Sequence, residues 1–168
     1  MGRRARASTY GGKSVAAQPL AMGRPDRLPT DALMGIHVLV VDDDGDARDL
    51  FRTVLQYCGA LVTVVTSATE ALEALAVLVP DVLVTDIAMP GHDGYWLIEQ
   101  VRALPDQRGR NVAAIAVTAH GSSHSPELAQ AIGFQALLRK PLDPWELCRH
   151  VATLAGRDDP GTPGAARA

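Results

Sequence analysis

A chain of 168 residues, 47% hydrophobic and 21% charged with a net charge of −3, has the length and composition of one soluble domain with its own core. Its longest apolar runs, such as residues 36–41, fall far short of the roughly 20 residues that a membrane-spanning helix needs, and its Arg-rich start has no apolar stretch for secretion. No membrane insertion and a cytoplasmic location are therefore expected, and Cys58 and Cys148, too few for a disulfide scaffold and too widely spaced for a zinc motif, read as small helix-face residues in a reducing compartment.

The charge is unevenly spread. Residues 1–34 carry six Lys and Arg against Asp26 and Asp31, leaving +4 there and −7 on the remainder. Rich in Gly, Pro, Ala and Arg and without apolar periodicity, they are expected to form a disordered basic extension; residues 157–168 are expected to be a disordered tail, and residues 35–156 the folded domain. The segment YGGKS at residues 10–14 has the ending of a phosphate-binding loop, but that motif needs Gly where Ala7 stands, and no strand precedes it.

The domain opens on an apolar run at residues 36–41, IHVLVV, ending at Asp42, Asp43 and Asp44. Ala47, Leu50, Phe51, Val54, Leu55 and Cys58 then recur at helical spacing, one stripe that should face a sheet, with Gly59 placed to end the helix. A second run at residues 61–65 leads to a possible capping box at Ser67 and Glu70. The third, residues 81–85, delivers Asp86, and Asp93-Gly94 reads as the turn before a third helix. The fourth, residues 113–117, ends at Thr118, and Ser125-Pro126 starts a fourth helix that Gly133 is suited to end. After the fifth run, residues 136–138, come Lys140 and the helix start Asp143-Pro144-Trp145-Glu146. Five βα units with continuous apolar strands predict an α/β fold, a three-layer sandwich around a parallel five-stranded sheet.

Ligands of such sheets bind beyond the carboxyl ends of the strands, so Asp42, Asp43, Asp86, Thr118 and Lys140, delivered by four of the five strands, are expected to converge. Carboxylates gathered at about 4 Å repel by about 4 kcal/mol per pair at an effective dielectric of about 20, unless a cation or proton intervenes. Mg²⁺, or Mn²⁺, suits oxygen ligands without Cys or His. An Asp beside such a metal can attack phosphorus, while the hydroxyl of Thr118 and the ammonium of Lys140 suit neutralising the remaining phosphoryl oxygens.

The segments VLVVDDD, VLVTDIAMPGHDGYWLI, IAVTAHG and LLRKPL, in that order, resemble the signature segments of response-regulator receiver domains of two-component signalling, over about residues 35–155. The resemblance implies a flavodoxin-like (βα)5 fold of strand order 2-1-3-4-5. It implies phosphorylation of Asp86, a metal ligated by Asp43 directly, by Asp42 largely through water, by Asp86 and by the backbone carbonyl of Ala88, phosphoryl contacts from Thr118 and Lys140, and a cis Lys140-Pro141 bond. The implied partners are a sensor histidine kinase or histidine phosphotransfer protein and a downstream effector protein, with the readout on the fourth helix, fifth strand and fifth helix. GFQALLRKP and GYWLIEQVR resemble receivers attached to hybrid sensor kinases more than those of DNA-binding regulators. One departure is Leu137, three residues before Lys140, where the family often has an aromatic residue that swings inward as Thr engages the phosphoryl group.

Other readings of the same residues fare less well. An EF-hand starting at Asp42 would need Gly and Glu where Ala47 and Thr53 stand. A haloacid-dehalogenase phosphatase would need Thr or Val at the position of Asp46, and an acidic pair on a strand after Lys140. His120 and His124 could share a metal on a helix, but their Gly- and Ser-rich context reads as loop. Too few residues follow Ala155 for an output domain, so direct DNA binding is not expected. Asp44 is read as a surface residue, and Tyr95, Trp96 and Trp145 as packing or partner-facing residues.

Overall fold

The computed structural model of the protein describes residues 28–119 and 123–156. The five apolar runs form parallel strands β1 (His37–Val41), β2 (Leu61–Val65), β3 (Val82–Asp86), β4 (Ala113–Thr118) and β5 (Ala136–Arg139), in the order β2-β1-β3-β4-β5. The helices are α1 (Gly45–Tyr57), α2 (Ala68–Leu75), α3 (Gly94–Arg102), α4 (Pro126–Ile132) and α5 (Pro144–Leu154), with a 3₁₀ turn at Asp106–Arg108 before β4. This is the expected flavodoxin-like α/β sandwich, and Lys140-Pro141 is cis.

Strand pleating sorts the core into two layers. From β1, Val38 and Val40 pack with Phe51 and Leu55 of α1 and Leu147 and Val151 of α5. Leu39 and Val41 point to the other face, with Ala71 and Leu75 of α2 and Leu97, Ile98 and Val101 of α3. Each such aliphatic side chain contributes about 1.5 to 3 kcal/mol when fully buried, which is why the central strands read as unbroken apolar runs. The α1 stripe holds for Phe51, Leu55 and Cys58, but Leu50, on the edge of that stripe, is exposed.

Among the described residues, all five α-helices start on a side-chain cap. Asp44, Ser67, Asp93, Ser125 and Asp143 accept from the backbone N–H of Asp46, Glu70, Trp96, Leu128 and Trp145, each cap worth about 1 kcal/mol. Asp44 is thus exposed, as expected, and also fixes the direction of α1. The capping box is shifted: the Glu70 carboxylate accepts from Thr66 N–H at 2.8 Å, one residue before Ser67. At the end of α1, Ala60 N–H bonds to Leu55 O and Gly59 N–H to Gln56 O, a paired closure that needs the left-handed φ of 92° at Gly59.

Two leucines ahead of residue 35 pack against the folded domain. Leu28 and Leu33 are buried in the α1/α5 layer, and Leu33 N–H donates to Cys58 O at 2.7 Å. Two leucines five residues apart in a Pro-containing turn have neither helical nor strand period, so their burial carries no local signal. Residues 1–27, 120–122 and 157–168 lie outside the described residues, and with them the bulk of the expected extension, the tail and His120. Cys58, at the C-terminal cap of α1, and Cys148, within α5, are both buried in one layer, and desolvation pushes both thiols above their ordinary range, which makes them poor nucleophiles.

Candidate functional site

Four of the expected strand-end residues, Asp42, Asp43, Asp86 and Lys140, lie together. Asp42, Asp43 and Asp86 each place a carboxylate oxygen within 4.8 Å of the others. Asp42 and Asp86 are buried and Asp43 is exposed, so the cluster has two walls and one solvent-facing side. Lys140 Nζ donates to Asp42 Oδ2 at 2.9 Å and to Asp86 Oδ2 at 3.2 Å, joining the end of β5 to those of β1 and β3. Each buried carboxylate also accepts one backbone N–H: Asp42 Oδ1 from Asp44 and Asp86 Oδ1 from Ala88.

The backbone holds these side chains in register. Lys140 N–H donates to Thr118 O at 2.7 Å, and Ile87 N–H to Val117 O at 2.9 Å, extending the strand pairing past the sheet edge. Thr118 is fully buried at the end of β4. Gly94 opens α3 with its N–H on Ile87 O, and a Cβ there would lie 2.5 Å from Asp86 O and 2.9 Å from Ile87 Cα. Both are backbone atoms and neither can swing aside. Gly94→Ala is expected to cost about 2 to 3 kcal/mol, the scale of overpacking, and to displace the Asp86 backbone. Urea unfolding midpoints of the two proteins check it.

Burial is the chief influence on the Asp86 carboxyl and raises its pKa; Lys140 pulls it back, Asp42 raises it further, and the net shift is upward. Burial alone would lower the Lys140 ammonium, but hydrogen bonding and charge from Asp42 and Asp86 outweigh it and hold it above its ordinary value. A raised carboxyl destabilises the folded state once ionised. The penalty is absent below about pH 3.9, grows as pH rises, and is complete above the folded pKa. Asp86→Asn is therefore expected to raise the thermal midpoint of the metal-free protein at neutral pH, and the gain should vanish as pH falls to that limit. Thermal melts across pH measure this.

Three carboxylates around a solvent-facing gap are a donor set for a hard divalent cation, and among the described residues the cluster has neither His nor Cys. Mg²⁺ or Mn²⁺ fits it. Arg48 escaped the sequence reading: its Nη1 donates to Asp42 O at 2.6 Å, fastening α1 to the end of β1. Its place one turn into α1 was the available signal. His124 precedes α4 in non-helical backbone, and its Nδ1 lies 3.0 Å from Tyr95 Oη. Trp96 stacks on His92 and Trp145 meets Tyr57 edge-on, while Leu137 is half-buried against the α2/α3/α4 layer.

Comparison with known proteins places this geometry. The family model for the response regulator receiver domain matches residues 38–152. A 14.6 kDa uncharacterized protein from the sodA1 3′ region of Leptolyngbya boryana is 47% identical over 119 residues, covering 71% of this chain and 89% of that protein. The response regulator SaeR of Staphylococcus aureus is 31% identical over 121 residues, covering 72% of this chain and 51% of SaeR, so the chain spans about half of that relative. The receiver domain of sensor histidine kinase PA1611 from Pseudomonas aeruginosa, solved with a magnesium ion coordinated in its active site cleft, matches with a TM-score of 0.65 and 28% identity over 73% of this chain and 98% of that one. Among the described residues no helix is long and apolar enough to cross a membrane.

Proposed function

The chain belongs to the response regulator receiver domain family, and on that premise we propose that it accepts a phosphoryl group on Asp86 from the phosphohistidine of a sensor histidine kinase or a histidine phosphotransfer protein. The observation that carries this reading is the buried Asp86 carboxylate, set beside Asp42 and Asp43 and already hydrogen-bonded to Lys140. Asp86 forms the new O–P bond as the P–N bond of the donor breaks, and the departing imidazole keeps the electron pair and takes up a proton. Lys140 turns from the two carboxylates to the phosphoryl oxygens, and the Thr118 hydroxyl takes another. The acyl phosphate carries a charge of roughly −2 where the free carboxylate carried −1, and these groups must balance it.

Asp42, Asp43, Asp86 and the Ala88 carbonyl would hold Mg²⁺, or Mn²⁺ in its place. Bound there, the metal supplies positive charge to the phosphoryl oxygens. The structure of the PA1611 receiver with magnesium in its cleft supports that assignment by analogy. The output is a population shift on the face of α4, β5 and α5, read by a downstream effector protein in the cytoplasm. Beyond self-phosphorylation from small donors and autodephosphorylation no turnover is proposed, nor is direct DNA binding.

Incubation with acetyl phosphate and Mg²⁺, followed by intact mass, tests the reading. One phosphoryl adduct is expected, and none when EDTA is present from the start of the incubation. No adduct, or hydrolysis of a phosphomonoester that survives Asp86→Asn, would overturn it in favour of another chemistry.

A further inference from the structure

Helix α4 is fastened to α3 at both ends, by different means. At its C-terminal end Arg102 donates from Nε and Nη2 to Gly133 O, at 3.2 and 2.7 Å, and from Nη1 to Arg110 O and Val112 O. That is a multi-point charged anchor. At the N-terminal end a single side-chain hydrogen bond, Tyr95 Oη to His124 Nδ1 at 3.0 Å, joins the first turn of α3 to the residue just before the Ser125 cap. The Tyr95 ring meets His124 edge-on at 5.1 Å and lies 6.3 Å from the buried Phe134.

Both holds on His124 are rooted beside the acidic site. Tyr95 follows Gly94, which rests on the backbone of Asp86 and Ile87. The His124 carbonyl accepts from Arg139 Nη2 at 2.7 Å, and Arg139 immediately precedes Lys140. Tyr95 and Arg139 each stand one residue from a group that touches Asp86, Gly94 on its backbone and Lys140 on its carboxylate. Leu137, by contrast, has only an aliphatic end, while Tyr95 brings a hydroxyl to the same layer from α3.

We infer that Tyr95 and His124 are positioning residues that latch the start of α4 in the resting, unphosphorylated conformation, with Arg102 as the fixed end about which α4 turns when the latch opens. The inference rests on the proposed phosphorylation of Asp86 and adds the element through which that event is transmitted. It places the aromatic coupling on α3, where Leu137 on β5 has no polar group to offer. A latch that favours the resting state lowers the population competent for phosphorylation, so its removal raises the rate at which Asp86 is modified.

The test compares the wild type with Tyr95→Phe, which keeps the ring and loses the hydroxyl, with His124→Ala, and with the double variant. Two quantities are read: amide hydrogen exchange over residues 124–132 without phosphodonor, and the rate of Asp86 phosphorylation by acetyl phosphate in Mg²⁺. Each single variant is expected to raise both by about two- to tenfold, the worth of one net hydrogen bond, and the double variant no further than the larger single. Unchanged exchange in Tyr95→Phe overturns the latch, as does faster exchange with an unchanged phosphorylation rate, which marks a packing role only. If wild-type Asp86 accepts no phosphoryl group, the proposed function fails instead, and exchange alone still decides whether the latch exists.

Discussion

Lys140→Ala is expected to lower the stability of the metal-free protein by about 2 to 3 kcal/mol near neutral pH, less than the 3 to 5 of a fully buried pair because the Lys140 side chain is 27% exposed. The substitution leaves Asp42, 1% exposed, and Asp86, 10% exposed, as neighbouring carboxylates without their shared cation. Each keeps one backbone N–H donor, which moderates the loss. The sign of the pH dependence follows from Asp86. Its carboxyl is already raised with Lys140 present, and removing Lys140 raises it further, so the variant regains stability relative to wild type as pH falls and Asp86 protonates. Added Mg²⁺ should restore part of the loss. A loss under about 0.5 kcal/mol, insensitive to pH, would reduce the ion pair to a surface contact.

Asp43→Asn is expected to act in the opposite way, leaving the metal-free fold intact and removing the response to metal. Asp43 is exposed, so its loss disturbs no packed layer. In the wild type, Mg²⁺ at a hundred times its dissociation constant should stabilise the fold by about 2.7 kcal/mol by mass action. The variant keeps two of the three clustered carboxylates, both engaged by Lys140, and should lose most of that gain at the same Mg²⁺ concentration. Phosphorylation from acetyl phosphate should slow at least about a hundredfold, the scale for losing a main electrostatic contact in a transition state. Thermal melts with and without Mg²⁺ separate the two effects. Equal Mg²⁺ shifts in both proteins would remove Asp43 from the metal site.

The parts of this architecture that were legible in the sequence are those encoded locally. Continuous apolar runs fixed the strands because their two-sided burial leaves no alternation to misread. Caps such as Ser125 and Asp143 were legible because a helix start needs its acceptor within three residues. The meeting of Asp42, Asp43, Asp86 and Lys140 followed from parallel βα topology, which sends every strand's carboxyl end to one edge. Contacts set by tertiary packing were not legible. Tyr95 and His124 are 29 residues apart, and Arg102 and Gly133 31 apart, with nothing in either sequence context to pair them. Leu28 and Leu33 look like linker residues until the surface formed by the end of α1 is there to receive them.

The central claim concerns one carboxylate. Treating the acetyl-phosphate-loaded protein with borohydride, which reduces an acyl phosphate, and mapping the product by peptide mass spectrometry tests it most directly. The account predicts conversion of Asp86 alone to homoserine, with no conversion in Asp86→Asn. Conversion at Asp42 or Asp43 in the wild type, or an unreduced phosphoryl group on a hydroxyl side chain, would contradict it.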